Sequence, residues 1–450
     1  MKSVAVAVEE ATPSGIAGAI ARLINSGDLA PGDRLPTVRD LAGELGVSPA
    51  TVSHAWQALA GVGLIVSRGR SGTFVRAERI AWLPPRSRDL AEPQTTVARL
   101  DLSTGTPDPL LLPDIGPALS RVSPRAGTAN YYDSPVLPDL ERLLRDSWGY
   151  PVQSITVVDG AMDAISRTLD LVLRYGDRVV VENPGFPAIF DLLEHYGVER
   201  LPVRLDEHGI VPESLAAALG RSPAAVVLQP RTHNPAGVSM TLDRARELAT
   251  VIRSTRTAEA TVVIEDDHSG AISASPDVSL GRFIPDRVVH VRSFSKSHGP
   301  DLRIAAIGGP RELIERLVAR RILGPGWTSR MLQAVLFDLL TDATTVAAID
   351  AARETYRARQ VDLTTALARH GVAMAVPDGI NLRLGVDDER NAVVQLAAAG
   401  IRVAAGTPFM ATPFDGGAST GGDAFVRVTA GLVRDDVDSV AALLAAAARA

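Results

Sequence analysis

The sequence contains no cysteine among its 450 residues. Disulfide bonds, thiolate nucleophiles and zinc sites built on thiolates are therefore excluded. No apolar run approaches the length of a membrane span. The opening segment MKSVAVAVEE reaches its glutamates after five apolar residues, which is too short for a signal peptide. Together these absences predict a cytoplasmic protein.

Charge is distributed unevenly along the chain. With 46% hydrophobic and 22% charged residues the composition is typical of a soluble globular protein, and the length predicts two or three domains. The net charge of −6 argues against a chain that coats itself with nucleic acid. Between Arg34 and Arg79, however, six arginines stand against three acidic residues, so one small region is cationic in an acidic protein.

The first eighty residues show a pattern of helix, glycine turn and helix. Apolar spacing predicts one helix over Gly15 to Asn25. Thr37 and Ser48 stand where each can cap a further helix, and Gly46 separates the two. Two short strands around an arginine-containing turn predict a β-hairpin wing: Leu64 to Ser67 and Gly72 to Arg76.

The segment GDLAPGDRLPTVRDLAGELGVSPATVSHAWQALAGVGLIVSRGRSGTFV resembles the GntR-type winged helix over almost its whole length. The resemblance implies that the third helix enters the major groove of double-stranded operator DNA and that arginines contact phosphates or the minor groove. It predicts these DNA-binding residues: Arg39, Ser48, Thr51, Ser53, His54, Arg68 and Arg70. Because one such module binds weakly, a dimer is expected. The alternative is a small helical oligomerisation module with a charged hairpin.

Residues 80–99 have the composition of a linker, with prolines, mixed charge and no sustained periodicity. Trp82 and Leu83 are expected to be half buried against a neighbouring domain. The predicted domains around this linker are 1–79, 100–327 and 328–450.

From Leu100 onwards, short apolar strands alternate with amphipathic stretches. The alternation predicts an α/β fold with a mostly parallel sheet covered by helices, in which ligands bind beyond the carboxyl ends of the strands. The predicted strands include Val179 to Val181, Ala225 to Leu228, Thr261 to Ile264, Val288 to Val291 and Ile304 to Ile307. In the C-terminal part, the pattern predicts a helix through Val361 to Leu367 and strands near Val372 to Val376 and Ile380 to Leu384.

Residues with distinctive chemistry follow these strands. Gly160 stands at a strand-to-helix junction, where the first amides of a helix can face a phosphate. Phe186 lies in a proline-rich loop, and it is either a core residue or a flat surface for stacking on a heteroaromatic ring. The Asn234-Pro235 bond in a tight turn is a candidate cis peptide that directs an amide inward. Asp266 ends a buried strand, where a carboxylate is costly without a cationic partner.

A lysine is presented from the loop after the strand at Val288. Lys296 follows Ser293 and Ser295, and Arg303 precedes the next strand. A primary amine beside hydroxyls and a second cation suits a Schiff base with an aldehyde cofactor whose phosphate needs neutralising, because nearby positive charge depresses the pKa of the amine. The alternative for this segment alone is a surface lysine.

In order along successive strands, these residues resemble those of fold-type I pyridoxal-phosphate aminotransferases, from about Leu100 to the C-terminus. The resemblance implies pyridoxal 5′-phosphate as cofactor and a large domain, with a seven-stranded type of sheet, beside a small α/β domain. It implies that Lys296 binds the cofactor covalently and that Asp266 keeps the ring nitrogen protonated. The other implied contacts are Asn234 to the phenolic oxygen, Phe186 to the ring face, and Gly160, Ala161, Ser293, Ser295 and Arg303 to the phosphate.

Three further residues are assigned through the same resemblance. Arg427, in the strand-like run Phe425-Val-Arg-Val-Thr, corresponds to the arginine that grips the α-carboxylate of amino-acid substrates; a salt-bridged strand arginine is the alternative. Tyr131, with Tyr132 as the alternative, resembles the tyrosine that reaches the phosphate of the other subunit, which implies a homodimer. His268 stands where relatives usually have a tyrosine that contacts the ring oxygen.

A GntR-type winged helix followed by an aminotransferase-like body resembles the MocR family of bacterial transcriptional regulators across essentially the full chain. This implies a regulator that senses an amino acid or amine at the cofactor on Lys296. The alternatives are an active aminotransferase that carries a DNA-binding head and a scaffold that binds no cofactor. Arg427 suggests a carboxylate ligand, whereas no comparable motif marks a side-chain pocket.

Overall fold

The computed structural model describes residues 4–8, 10–61, 64–67, 69–75, 83–91, 98–122, 130–411 and 424–449. The chain divides into two compact units, Met1–Leu83 and Pro84–Ala450. Within the described ranges no single helix is both long and apolar enough to cross a membrane, and one helix pair meets those criteria only in combination, with a bend of 72°.

The first unit is the predicted winged helix. It consists of α1 (Pro13–Asn25), α2 (Val38–Leu45), α3 (Pro49–Gly61), β1 (Ile65–Ser67) and β2 (Thr73–Val75), and the two strands pair antiparallel. The side chain of Thr37 accepts a hydrogen bond from the Asp40 amide at 3.2 Å, and that of Ser48 accepts one from the Thr51 amide at 3.2 Å. Gly46 adopts the left-handed conformation (φ 67°) that ends α2. Both predicted caps and the glycine turn are therefore confirmed.

The segment interpreted as a linker contains a helix, α4 (Pro85–Ala91), which the sequence pattern did not indicate. A proline is favoured in the first turn of a helix, and α4 is stabilised by packing on other elements of the second unit. It packs against the helix at Pro187–Tyr196 and the 3₁₀ turn at Thr407–Phe409. Leu83 is partly buried, as expected, whereas Trp82 lies outside the described residues.

The second unit is built around an eight-stranded sheet with helices on both faces. Its elements as far as residue 322 are β3 (Leu100–Asp101), α5 (Gly116–Val122), α6 (Pro138–Asp146), β4 (Ser154–Val158), α7 (Ala161–Val172), β5 (Arg178–Asn183), α8 (Pro187–Tyr196), β6 (Glu199–Asp206), β7 (Gly209–Ile210), α9 (Pro212–Leu219), β8 (Ala225–Leu228), α10 (Leu242–Ser254), β9 (Val262–Asp267), β10 (Val288–Ser293), β11 (Ala305–Gly309) and α11 (Arg311–Ile322).

The strand order in this sheet is β4-β11-β10-β9-β8-β5-β6-β7. The pairs from β10 across to β6 are parallel, whereas β11 is antiparallel to both of its neighbours and β7 is antiparallel to β6. The mostly parallel sheet is confirmed, with eight strands instead of seven because the short hairpin strand β7 extends one edge. Since β4 runs in the same direction as β10, the carboxyl ends of β4 and of the parallel strands lie at the same edge.

The remaining elements are α12 (Arg330–Thr341), α13 (Ala343–Arg369), β12 (Leu382–Gly385), α14 (Glu389–Ala398), β13 (Ile401–Arg402), β14 (Ala404–Ala405), β15 (Phe425–Val428) and α15 (Val437–Ala448). Strands β12, β15 and β14 form an antiparallel sheet, and β13 pairs with β3 in parallel. The predicted helix at Val361 to Leu367 is the end of the much longer α13.

The strand predicted near Val372 to Val376 is absent from the described residues. Val372 and Met374 nevertheless pack against the apolar core formed by α13, α15 and the three-stranded sheet. Their alternation therefore reflects an extended segment with one buried side. An alternating pattern identifies the buried face of extended chain but does not provide the neighbouring strand that a ladder of hydrogen bonds requires.

Candidate cofactor site and DNA-binding surface

The carboxyl ends of the parallel strands open into a cavity of about 450 Å³. Eleven of the sequence-predicted site residues line it: Gly160, Ala161, Phe186, Asn234, Asp266, His268, Ser293, Ser295, Lys296, Arg303 and Arg427. Tyr131 does not. It is 82% exposed, and its ring meets that of Trp327 edge-on at 6.0 Å. Residues far apart in the sequence are thus gathered by the order of the strands.

One end of this cavity, here called the cofactor end, is defined by Gly160, Asp266 and Arg303. Gly160 has φ 104° and directly precedes α7, and a Cβ at this position would lie 2.9 Å from the guanidinium of Arg303. Only glycine therefore leaves this approach open. The hydroxyls of Ser293 and Ser295 are hydrogen bonded to each other at 3.0 Å. Backbone amides at the start of a helix, hydroxyls and a guanidinium are the groups that bind phosphates.

Asp266 is held by a residue that sequence reasoning missed, Gln229. The Gln229 side chain donates to Asp266 Oδ2 at 2.9 Å and accepts from the Asn234 amide at 2.8 Å. The backbone amide of Gln229 donates to the carboxylate of buried Glu182 at 2.8 Å. The sequence could have indicated Gln229 as a site residue, because it follows β8 directly and thus occupies the same strand-end position as the predicted residues. Gln229 thereby fixes Asp266 and Asn234 relative to each other.

The outer oxygen of Asp266, Oδ1, is buried and accepts no hydrogen bond from any residue that the structure describes. Burial raises the pKa of Asp266 to about 6, against the hydrogen bond from Gln229, which lowers it. The carboxylate is therefore ionised above this pH, and its free oxygen lacks a cationic hydrogen-bond donor among the described residues. A buried carboxylate oxygen of this kind requires a partner.

Asn234 and Pro235 are joined by a cis peptide bond, as predicted, and Asn183 and Pro184 by a second one. Asn234 faces the cavity, and its Oδ1 accepts from Arg427 at 3.4 Å. Phe186, which was left open between core and ring-stacking, both lines the cavity and packs against the apolar cluster beneath α7 and α8. The two interpretations of Phe186 are thus compatible.

Lys296 donates from Nζ to the carbonyl oxygen of Gly105 at 2.6 Å. Burial, followed by the charge of Arg427, lowers the pKa of Lys296 to about 8, while Asp266 acts in the opposite direction. The expected direction of this shift was thus correct, but its main cause is removal from water, and the contributing cation is Arg427. Burial, together with the charge of Lys296, also lowers the pKa of His268 to about 4, so this imidazole is neutral at pH 7.

The other end of the cavity, here called the ligand end, contains Arg427. Its guanidinium stacks over the ring of Phe409 at 5.1 Å and donates to the carbonyl oxygen of Ser103. Burial lowers the pKa of Arg427 to about 10, which leaves it charged at neutral pH. Its hydrogen bonds go to neutral oxygens, although guanidinium groups pair more strongly with carboxylates.

The segment Ser103–Gly105, here called the strap, crosses this end of the cavity. Its carbonyl groups accept from both Lys296 and Arg427, and the Gly105 amide donates to Thr429 Oγ1 at 2.9 Å. Gly105 has φ 62°, and a Cβ there would clash with the Arg427 guanidinium. Sequence reasoning missed the strap because it acts through its backbone, although Gly105 in a TGTPDP stretch indicated a turn.

Beyond the strap, Asp108 fastens the chain to the C-terminal part of the fold. It is fully buried and accepts hydrogen bonds from Arg434 at 2.6 Å and Arg359 at 2.8 Å. Burial opposes ionisation of Asp108, but the hydrogen bonds from these arginines outweigh it and lower its pKa to about 2. The Tyr356 hydroxyl accepts from the Asp108 amide at 2.8 Å. This carboxylate therefore stays ionised at physiological pH.

A cluster of three side chains of types that can bind metals also occurs around Asp267, the last residue of β9. Oxygen and nitrogen atoms of Asp267, Asp277 and His290 lie within 4.8 Å of one another. Arg231 already pairs with Asp267 at 2.5 Å and lies 3.9 Å from Asp277. Because a guanidinium neutralises these carboxylates, the group is an ion-pair network of the protein itself.

On the winged-helix unit, the predicted contact residues lie on α2 and α3. Arg39 and His54 are exposed, and Thr51 and Ser53 are partly buried on the same helix as His54. Ser48 is occupied in capping α3, with its hydroxyl 2.9 Å from that of Thr51. Arg68 lies outside the described residues, and Arg70 belongs to the turn Gly69–Ser71, with its side chain not described.

Comparison with known families agrees with this two-part architecture. Residues 12–75 match the model of bacterial regulatory proteins of the gntR family, and residues 98–444 match aminotransferase class I and II. The solved structure of the α-aminoadipate aminotransferase LysN from Thermus thermophilus superimposes with a TM-score of 0.69 at 20% identity, covering 87% of this chain and 97% of that one. Aspartate aminotransferase from Thermus thermophilus gives a TM-score of 0.66 at 21% identity, covering 78% and 92%. These structures share the fold.

Three curated relatives match two thirds or more of the chain. The vitamin B6 salvage pathway transcriptional repressor PtsJ of Salmonella typhimurium is 36% identical over 89% of this chain and 92% of its own length. The pyridoxine biosynthesis regulator PdxR of Corynebacterium glutamicum is 30% identical over 69% of each chain. TauR of Rhodobacter capsulatus is 28% identical over 86% of this chain and 87% of its own length.

The fold and the cavity thus define a winged-helix transcriptional regulator whose second part has the architecture of a class I and II aminotransferase. The chain belongs to the MocR family, in which these two parts are fused in this order.

Proposed function

We propose that this regulator binds pyridoxal 5′-phosphate on Lys296 and responds to an amino acid or amine that takes the place of the lysine on the cofactor. One observation carries the proposal. A single cavity brings together the amine of Lys296, the Asp266 oxygen that accepts no hydrogen bond from a described residue, and the glycine-lined start of α7, in a chain with a DNA-binding head. When bound, the cofactor supplies an aldehyde carbon that condenses with primary amines and a ring that withdraws electrons.

The residues of the cofactor end fit this group. Ionised Asp266 would accept a charge-assisted hydrogen bond from a protonated ring nitrogen, which removes the cost of its buried free oxygen. The phosphate would be held by the start of α7 and by the following residues: Gly160, Ala161, Ser293, Ser295 and Arg303. Phe186 would stack on the ring, and Asn234 and His268 would lie beside its phenolic oxygen.

At the ligand end, the strap would be exchanged for the incoming molecule. A carboxylate is a stronger acceptor for Arg427 than the neutral Ser103 carbonyl, so a ligand that carries one can displace that hydrogen bond. Lys296 has a pKa of about 8, which leaves an appreciable neutral fraction at neutral pH. A neutral amine of this kind can attack an aldehyde or accept a proton.

The names of the relatives support the choice of cofactor. PtsJ is named for vitamin B6 salvage and PdxR for pyridoxine biosynthesis. We therefore include pyridoxal 5′-phosphate itself among the signals to which the chain responds. For any ligand to switch the protein, it must bind one conformation better than another.

The assembled regulator is proposed to be a homodimer on double-stranded DNA. Exposed Tyr131 would reach the phosphate of a second subunit, which accounts for its absence from the cavity of its own chain. Base and phosphate contacts are assigned to the following residues of the head: Arg39, Ser48, Thr51, Ser53, His54, Arg68 and Arg70.

Borohydride reduction of the cofactor-saturated protein tests the covalent attachment. The chain has two lysines, Lys2 and Lys296, so peptide mass mapping gives an unambiguous result. We expect a phosphopyridoxyl group on the peptide that contains Lys296 and no such group in Lys296→Ala. Labelling of Lys2 alone, or of neither lysine, would contradict the proposal.

Catalytic transamination is a second activity to be tested, because Lys296, which would move the proton in that reaction, lines the same cavity as Asp266 and Arg427. Incubation with a panel of amino acids and a keto acid separates the two possibilities. Product in several-fold excess over protein indicates an enzyme, whereas a change in the cofactor spectrum without product indicates a sensor. We expect the second result.

DNA binding is tested with the DNA upstream of the protein's own coding sequence. Arg39→Ala is expected to weaken binding and to reduce its dependence on salt by about one counterion, because one phosphate contact is lost. Gel shifts at two salt concentrations measure both quantities, with Arg253→Ala as a control on helix α10 in the other unit. Identical shifts for wild type and Arg39→Ala would contradict this assignment.

A further inference from the structure

Helix α4 follows the winged-helix unit in the sequence and is fastened to the second unit. The backbone amide and the guanidinium of Arg86 both donate to Asp191 on α8, each at 3.4 Å. The guanidinium also donates to Glu194 at 2.8 Å and lies over the ring of Phe190 at 5.5 Å. Asp191 is largely buried, with its side chain 5% exposed. These contacts give α4 a defined position.

The inner face of α4 forms part of the cavity wall. Ser87 and Leu90 are three residues apart, so they lie on the same side of the helix, and both line the cavity that contains Lys296. Leu90 also packs against the apolar cluster of Ala404, Phe409 and Phe425. Helix α4, which lies in the segment first interpreted as a linker, thus contributes side chains to the cavity that contains Lys296.

These side chains lie at the ligand end. Phe409, against which Leu90 packs, carries the guanidinium of Arg427 on its ring. Gly160 and Arg303 define the opposite end. A molecule that places a carboxylate on Arg427 would therefore direct its remaining substituent toward the region that α4 borders.

We propose that α4 is the specificity wall of the sensor: Leu90 and Ser87 contact the substituent of the bound amino acid or amine, and they select an aliphatic one. This inference rests on the proposed function. It also explains how occupancy reaches the segment that follows the winged helix, because the ligand touches that segment directly.

The charges at this end favour an aliphatic over an acidic substituent. Arg402 also lines the cavity, but it forms an ion pair with Asp101 at 3.6 Å. Arg427 is reserved for the α-carboxylate in the proposed function. With Arg427 engaged by the α-carboxylate and Arg402 paired with Asp101, a second carboxylate would lie against the apolar side chain of Leu90, which is unfavourable.

Two stable adducts test the wall without requiring any chemistry at Lys296. N-(5′-phosphopyridoxyl)-L-leucine and N-(5′-phosphopyridoxyl)glycine share the cofactor and the carboxylate and differ only in the aliphatic substituent. Their affinities for full-length protein freed of cofactor are measured by calorimetry. For wild type we expect the leucine adduct to bind about tenfold more tightly, as is usual for a filled apolar pocket.

Leu90→Ala is expected to weaken the leucine adduct about tenfold and to leave the glycine adduct within about twofold. The matched control is Leu242→Ala, at the start of α10 and outside the cavity lining, for which both affinities should equal those of wild type. A second variant, Ser87→Leu, makes the cavity smaller at α4, whereas Leu90→Ala makes it larger. Ser87→Leu should likewise weaken binding of the leucine adduct selectively. Because these two variants change the volume in opposite directions, a shared loss of folding cannot reproduce the selectivity.

Hydrogen exchange in the peptide that covers α4 gives an independent measurement. Exchange should be slower with the leucine adduct than with the glycine adduct. If both adducts bind but Leu90→Ala and Ser87→Leu affect them equally, or exchange is the same with both, the wall proposal is overturned while the proposed function stands. If neither adduct binds wild type, the proposed function itself fails.

Discussion

The two ends of the cavity differ in what their polar groups are doing. At the cofactor end, Asp266 Oδ1 has no hydrogen-bond partner among the described residues. At the ligand end, Lys296 and Arg427 both donate to carbonyl groups of the strap. The first end is shaped to receive a group that completes it, whereas the second is closed by the protein's own backbone. The difference teaches that binding at the ligand end is an exchange, in which each new contact replaces an existing one.

The largest effect is expected from Asp266→Ala, which removes the carboxylate that would pair with the ring nitrogen at the cofactor end. Loss of a buried charge-assisted pair costs about 3 kcal/mol, which corresponds to roughly 100-fold weaker binding of pyridoxal 5′-phosphate. Fluorescence titration measures the affinity. The control is Asp163→Ala, since Asp163 pairs with Arg167 on α7 outside the cavity lining. If Asp266→Ala and wild type bound pyridoxal 5′-phosphate with equal affinity, the cofactor end would not depend on this carboxylate, and the proposed difference between the two ends of the cavity would be contradicted.

Arg427→Met should affect the ligand end most strongly. Hydrogen bonds to a charged group contribute about 2 kcal/mol, so leucine should shift the cofactor spectrum at roughly 30-fold higher concentration. The response to 3-methylbutylamine, which lacks the carboxylate, should not weaken. Binding of the cofactor itself should fall by much less than the response to leucine, since Arg427 acts on that site only through its charge on Lys296 and its contact with Asn234. A parallel loss for the acid and the amine would show that Arg427 supports the fold of the site and not the carboxylate.

The pH dependence of cofactor uptake follows from Lys296. Its pKa is lowered to about 8 in the folded chain, so the neutral amine fraction grows about tenfold between about pH 7 and 9 and then levels off. The initial rate of uptake, measured by stopped-flow absorbance, should follow this curve. A lysine in water would still gain in rate beyond about pH 10. A rate that continues to rise there would contradict the burial of this amine.

The smallest effect is expected from Thr429→Val, which removes the hydrogen bond to the Gly105 amide. Loss of this hydrogen bond should destabilise the closed position of the strap by about 1 kcal/mol, so a competing ligand should bind up to about fivefold more tightly. Cofactor affinity should rise by no more than the same factor, because attachment at Lys296 also gives up its hydrogen bond to the Gly105 carbonyl. Calorimetry with N-(5′-phosphopyridoxyl)-L-leucine gives the sign. Weaker binding in this variant would mean that the strap holds the ligand and does not compete with it.

Much of the cofactor end could be predicted because its residues are side chains placed directly after apolar strands. Asp266 and Lys296 lie at the ends of β-strands whose order in the sheet brings them together, and the sequence pattern reveals both the strands and the residues. The Asn234-Pro235 turn was predictable for the same reason.

The ligand end was less predictable because it depends on backbone groups and on distant packing. The strap acts through two carbonyl oxygens, and every residue has one, so no residue type marks it. Leu90 and Ser87 lie in a proline-containing stretch without periodicity. Their helix is held in place because the Arg86 amide donates a hydrogen bond to Asp191, which is far away in the sequence. Such tertiary contacts override local propensity.

Asp108 fixes the chain just beyond the strap. It accepts hydrogen bonds from two arginines, its amide donates to Tyr356, and its carboxylate stays ionised throughout the physiological pH range. On the other side of the strap, β3 pairs with β13, and the Leu102 amide donates to the Arg402 carbonyl at 2.7 Å. The strap is thus a short bridge held at both ends, so a ligand that replaces its carbonyl groups has to displace only these three residues.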